Sequence, residues 1–181
     1  MNPLLSALRE LESVALALDD TQIEAACQTI ARARHIVAYG CGREGLMMRA
    51  LTMRLHHLGL RVAMQGDMTT PPLGPGDLFL CSAGPGELST VSALMGVAQR
   101  DGAQVLMVTA EPDQPSPRRA DQLLVIPAQT MARDQGGAST LPMGSLFEGA
   151  MFLVFEIMVL RLTVILGQTS DALRARHTNM E

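Results

Sequence analysis

Leu4, Leu5, Leu8, Leu11 and Leu18 recur at helical spacing, which predicts a first helix with one apolar stripe. Asp19, Asp20 and Thr21 offer an N-cap for a second helix reaching about residue 33, so residues 1–33 read as a helical arm. A short apolar run at 35–39 leads straight into Gly40-Cys41-Gly42 and then into helical periodicity over 44–58: strand, glycine turn, helix. Gly59 closes that helix, and 61–64 begins another short strand. After a Pro- and Gly-rich loop at 69–76 the pattern returns, with a strand at 77–81, the turn Gly84-Pro85-Gly86 and a helix over 87–100. Residues 104–108 and 122–126 read as two further strands, with a short helix near 117–120 between them. One long helix is expected over 144–166 and a last short one over 171–176.

Strands that alternate with helices imply a parallel sheet covered on both faces, here a three-layer αβα domain with five strands. The whole chain, 1–181, reads as one domain: the arm, an α/β core over 34–166, and a tail over 167–181. In such sheets ligands bind beyond the carboxyl ends of the strands, near the switch in strand order. The two glycine turns follow the first and third strands. If those strands are neighbours, both turns open into one crevice.

Composition narrows the partners. Hydrophobic residues make up 48% and charged residues 18%, so apolar surface is expected to be buried between subunits. A net charge of -4 gives no footprint for nucleic acid. The very apolar run at 151–166 is short for a membrane span and carries Glu156 and Arg161, which favours a buried interface helix. The opening MNPLLSALRELESV has no basic stretch or small-residue cleavage site and does not read as a signal peptide. Cys27, Cys41 and Cys81 are odd in number and lack metal-ligand spacing, which points to a reducing, cytoplasmic setting and no metal. Cys41 and Cys81 end the two strands expected side by side; buried small residues explain them more simply than a soft-metal or redox pair.

The first turn, Gly40-Cys41-Gly42-Arg43-Glu44-Gly45, matches a dinucleotide fingerprint only weakly, because Gln65 and Gly66 precede Asp67 where an acidic residue is expected. Its glycines do let backbone N–H groups face an anion at a helix N-terminus. The second turn, Cys81-Ser82-Ala83-Gly84-Pro85-Gly86-Glu87-Leu88-Ser89-Thr90, has the same form. Candidate ligand-binding residues are therefore Gly40, Gly42, Arg43, Glu44, Ser82, Gly84, Gly86, Glu87, Ser89 and Thr90. His56 and His57 share opposite faces of one helix, so at most one points inward.

These motifs resemble the sugar-isomerase (SIS) domains, in particular their 6-phospho-3-hexuloisomerase branch. The likeness rests on the 40–45 loop, on Met53-Arg54-Leu55-His56-His57-Leu58-Gly59, and on Gly66-Asp67-Met68-Thr69-Thr70-Pro71-Pro72. It rests most on Leu141-Pro142-Met143-Gly144-Ser145-Leu146-Phe147-Glu148 and the terminal Arg176-His177-Thr178-Asn179-Met180-Glu181. The resemblance implies a flavodoxin-like fold, a homotetramer, no cofactor, and interconversion of 6-phospho-3-hexulose and fructose 6-phosphate through an enediol. It makes Glu148 the candidate base and His177 a second catalytic group that reaches a neighbouring subunit's crevice. From the residues alone, Glu148 can equally cap its own helix and His177 can hold the tail to the core.

The chain departs from that family where phosphate is expected. Glu44, Ala83, Pro85 and Leu88 stand at positions that carry small hydroxyl residues in the family, and Pro85 also removes an N–H. A carboxylate about 4 Å from a phosphate oxygen costs roughly 1 kcal/mol per charge pair in water and about 4 at an effective dielectric of 20. Three readings follow: a phosphosugar isomerase with a rebuilt anion site, an isomerase of a non-phosphorylated or amine-bearing sugar, and a catalytically silent sugar-binding or regulatory protein.

Overall fold

The computed structural model describes residues 2–134 and 139–180. Helices α1 (Pro3–Ala17) and α2 (Asp20–Arg32) open the chain, capped by the side chains of Asn2 and Asp19. There follow β1 (Ile36–Gly40), α3 (Gly42–His57), β2 (Val62–Met64), β3 (Leu78–Ser82), α4 (Ser89–Arg100), β4 (Gln104–Thr109), β5 (Gln122–Val125), α5 (Ser145–Ile165) and α6 (Ser170–Ala175). Short 3-10 turns occupy Pro117–Arg119 and Met131–Arg133; the second has no periodic signature in the sequence.

All five strands are parallel, in the order β2-β1-β3-β4-β5. The strands that carry the two glycine turns are therefore neighbours, with Gly40 paired in register with Ser82. The chain winds outward in both directions from this β1–β3 pair, so the two turns border one crevice.

Alternate strand residues feed two separate cores. Ile36, Ala38, Leu78, Leu80, Leu106 and Val108 face α2, α3 and α5, while Val37, Phe79, Cys81, Val105 and Met107 face α4. That period-two split is what a sheet covered on both sides requires. Helix α5 buries Phe147, Met151, Val154, Phe155, Met158 and Leu162, each contributing about 1.5–3 kcal/mol relative to exposure. The two charges within its apolar run are tied to neighbouring helices: Glu156 lies 3.3 Å from Arg54 on α3, and Arg161 pairs with Asp20 on α2. No helix among the described residues is long and apolar enough to cross a membrane.

The other side of α5 is apolar and uncovered. Phe152, Leu153, Ile157, Leu160 and Val164 are exposed there, and so are Leu4, Leu5 and Leu8 of α1, whose own buried positions are Ala7 and Val14.

Candidate active site

Glycine contacts set the crevice floor. An added Cβ on Gly45 would lie 2.5 Å from the Gly40 carbonyl oxygen, so α3 starts hard against the end of β1 only because both residues are bare. This places Arg43 and Glu44 in the first turn of α3 beside the β3 turn. On the far wall, Met143 adopts a left-handed φ of 54° and Gly144 one of 80°, and together they turn the chain into α5. The resulting crevice, about 480 Å³, is lined by Cys41, Gly42, Arg43 and Glu44, by Pro85 and Leu88, and by residues of the β5–α5 connection through Glu148.

Glu148 sits on the crevice wall, at the start of α5. One carboxylate oxygen is 3.3 Å from the Arg43 guanidinium, an ion-pair contact without hydrogen-bond alignment. Arg43 is held by Ser145, whose Oγ accepts from it at 2.7 Å, and by the Met143 carbonyl. Burial pushes Glu148 above the ordinary glutamate range, against the pull of Arg43. A carboxylate raised in this way and open to a cavity is a better proton acceptor than an ordinary glutamate.

Glu44 is buried, and its environment is different. Its carboxylate accepts from Ser82 Oγ–H and, at 3.0 Å to each oxygen, from the Gly84 N–H. Burial pushes Glu44 up, opposed by the Ser82 and Gly84 hydrogen bonds and reinforced by the negative charge of Glu148. A Cβ on Gly84 would lie 2.9 Å from the Phe147 ring and 3.0 Å from Glu44 Oε1, so the bare backbone is what admits the carboxylate.

The structure brings Gly42, Arg43, Glu44 and Glu148 onto one crevice, with Ser82 and Gly84 behind Glu44. The other expected residues lie elsewhere. Gly40 is enclosed by Gly45 and Met48, and Gly86 packs on Gln114. Glu87 accepts the Ser116 N–H at 2.9 Å, while Ser89 and Thr90 open α4 on the exposed surface. His177 is far from its own chain's crevice: its ring centroid is 5.1 Å from that of His57, at the opposite end of α3 and about 20 Å along the helix from Glu44. Glu181, beyond it, lies outside the described residues. Of the histidine pair, His57 is buried and His56 exposed.

Thr130 and Met131 also line the crevice and carried no motif signal of their own, while Met143 and Phe147 line it from within the 141–148 motif, where the resemblance gives a role only to Glu148. Thr130 is 3% exposed, and its Oγ1 has no hydrogen-bond partner among the described residues. Cys41 lines the crevice with its thiol 3.6 Å from Tyr39 Oη. Burial pushes the Cys27 thiol up to about 11 and the Cys81 thiol up as well, which leaves both as packing groups. Among the described residues there is no cluster of three or more His, Cys, Asp or Glu able to hold a metal ion.

Comparison with known proteins gives a consistent picture. Residues 29–154 match the family model of the SIS domain. A Mycobacterium gastri protein named 3-hexulose-6-phosphate isomerase is 34% identical over 95% of this chain and 86% of its own length. A Bacillus subtilis protein of the same name is 30% identical over 96% of this chain and 95% of its own length. The crystal structure of a Methanococcus jannaschii protein, reported as inferring a function of 3-hexulose-6-phosphate isomerase, superposes with a TM-score of 0.86 over the full length of both chains. At 21% identity that structure shows the shared fold.

Proposed function

The chain belongs to the SIS domain family, and on that premise we propose that it is an aldose–ketose type sugar isomerase, with the phosphosugars for which its relatives are named as the first substrate class. The observation that carries this reading is Glu148, a carboxylate raised by burial that opens on the crevice beside the fixed Arg43 guanidinium.

Glu148 takes the proton from the carbon next to the sugar carbonyl. The C–H electron pair becomes the enediol double bond, and the carbonyl π pair moves onto oxygen. Arg43, already anchored by Ser145 and Met143, faces that developing negative charge with its remaining donors. The neighbouring hydroxyl passes its proton to that oxygen, and protonation of the former carbonyl carbon by Glu148, with the new carbonyl forming where the hydroxyl was, completes the shift. A base and a cation suffice for this route, so we propose it as cofactor-independent and assign the protein to cytoplasmic sugar metabolism.

Glu148 also borders a second, apolar groove lined by Leu8, Leu11, Met47, Phe152 and Leu153, continuous with the uncovered face of α1 and α5. A second copy docked there lies against Glu148, which supports a homo-oligomer, proposed as a tetramer, in which the tail residues 167–181 and His177 complete a neighbour's site. A second reading has one observation in its favour: Glu44 holds donors that a phosphate would use, which suits a sugar bearing no phosphate at that end.

The test is NMR observation of 3-hexulose 6-phosphate, fructose 6-phosphate and fructose incubated with the protein. The expected outcome is conversion of at least one of them, and a loss of about 10²–10⁴ in rate for Glu148→Gln at unchanged circular dichroism. No conversion of any of the three, or a Glu148→Gln rate equal to wild type, overturns the assignment.

A further inference from the structure

The turn after β3 has its donors already spent. The Ala83 N–H goes to the Val108 carbonyl at 3.0 Å, and the Gly86 N–H to the Ala83 carbonyl at 2.9 Å. Pro85 has no N–H to offer, and the Gly84 N–H is shared by both oxygens of Glu44. The Ser82 hydroxyl donates to the same carboxylate. The side chains of Ala83, Pro85 and Leu88 add no hydroxyl. An oxyanion arriving between the two turns thus meets a tethered carboxylate in its place, and residues 83–86 of the turn offer it no free N–H. The fit between carboxylate and turn is close: the added Cβ at Gly84 that would press on Phe147 would also press on Glu44.

We infer that Glu44 is the specificity-determining residue of the crevice: a built-in anion that occupies the space between the two turns and selects a sugar whose end there is uncharged or cationic, so that any phosphate the sugar carries lies away from the β3 turn. The inference rests on reading the crevice as the sugar site and names the chemistry it takes. A hydroxyl or ammonium group can donate to the outer face of the Glu44 carboxylate without displacing it, whereas a phosphate must break its hydrogen bonds to Ser82 and Gly84. The Thr130 hydroxyl, buried on the same crevice without a partner among the described residues, is a second group placed for a sugar hydroxyl.

The test is calorimetric titration of inorganic phosphate into wild type, Glu44→Ser and Glu44→Gln, with folding followed by circular dichroism. Glu44→Ser is expected to bind phosphate at least tenfold more tightly than wild type. Glu44→Gln, which loses the charge but still fills the space, is expected to gain less. Wild type binding phosphate as tightly as Glu44→Ser, or neither variant gaining over wild type, overturns the inference. If Glu44→Ser does not fold, Glu44→Gln decides: any gain supports the inference and none overturns it. Phosphate titration needs no turnover, so its failure leaves the role of Glu148 standing, and failure of the isomerase assay leaves this result standing.

Discussion

The two ends of β3 each hold a buried carboxylate, and the two are treated in opposite ways. At the amino end, Asp77 accepts two hydrogen bonds from Arg34, at 3.0 and 2.9 Å, and one from the Gly74 N–H, with His35 Nδ1 3.2 Å away. The Arg34 pairing holds its carboxyl well below the ordinary range. At the carboxyl end, Glu44 is met by neutral donors and faces a second carboxylate, and burial raises both Glu44 and Glu148. One end matches its charge and so fixes the chain; the other leaves charge incompletely matched beside a cavity. A carboxylate whose ionised form is fully matched is a poor proton acceptor, and one penalised by burial is a better one. The chemistry is therefore expected at the turn end of the sheet and the stability at the other.

Exchanging the perturbations sharpens that contrast. The largest effect is on rate: Glu148→Gln loses turnover by about 10²–10⁴ while its unfolding midpoint stays near wild type, since a neutral amide suits a site that already disfavours charge. Next is Asp77→Asn, expected to lose about 2 kcal/mol of stability in urea unfolding, because the guanidinium loses its charged partner, while turnover per folded molecule is unchanged. Equal effects of the two variants on stability and rate would erase the distinction between the two ends.

The smallest effect is on pH dependence, and its sign differs between the ends. Asp77 has a lowered folded-state pKa, so its contribution is present above the ordinary value of 3.8 and is lost as pH falls below it. Glu44 and Glu148 are raised, so the folded state holds their protons more tightly, and stability falls as pH rises above the ordinary 4.5 toward their folded values. Urea midpoints measured across this range should show a shallower acid limb in Asp77→Asn and a shallower limb just above 4.5 in Glu148→Gln, where Glu44 remains. A shared slope in both variants would contradict the assignment.

Much of this architecture was readable in the chain because it is local. Short apolar runs and glycine turns located the strands, while the neighbouring of β1 and β3 stood as a condition that the sheet order then met. Contacts between distant residues were not readable. Glu44 looked like a residue that would repel a ligand, whereas it is a ligand of Ser82 and Gly84, some forty positions away. Thr130 and Met131 lie in a connection without periodicity, so nothing in their spacing brought them to the crevice. The leucine stripe of α1 marked an apolar face correctly, but packing put Ala7 and Val14 inward and left Leu4, Leu5 and Leu8 outward. Helical spacing tells which residues share a face and not what covers it. His177 is a similar case: the family likeness gave it a role, and its place beside His57 puts it away from the crevice of its own chain.

The central claim is that Glu148 moves a carbon-bound proton, and deuterium incorporation reads that step directly. The protein is incubated in D2O with whichever of 3-hexulose 6-phosphate, fructose 6-phosphate or fructose it converts, and the recovered sugar is examined by NMR for carbon-bound deuterium. Wild type is expected to place deuterium on the carbon that the carbonyl has left, and folded Glu148→Gln to place almost none. Incorporation by Glu148→Gln at the wild-type rate, or none by wild type, would contradict the account.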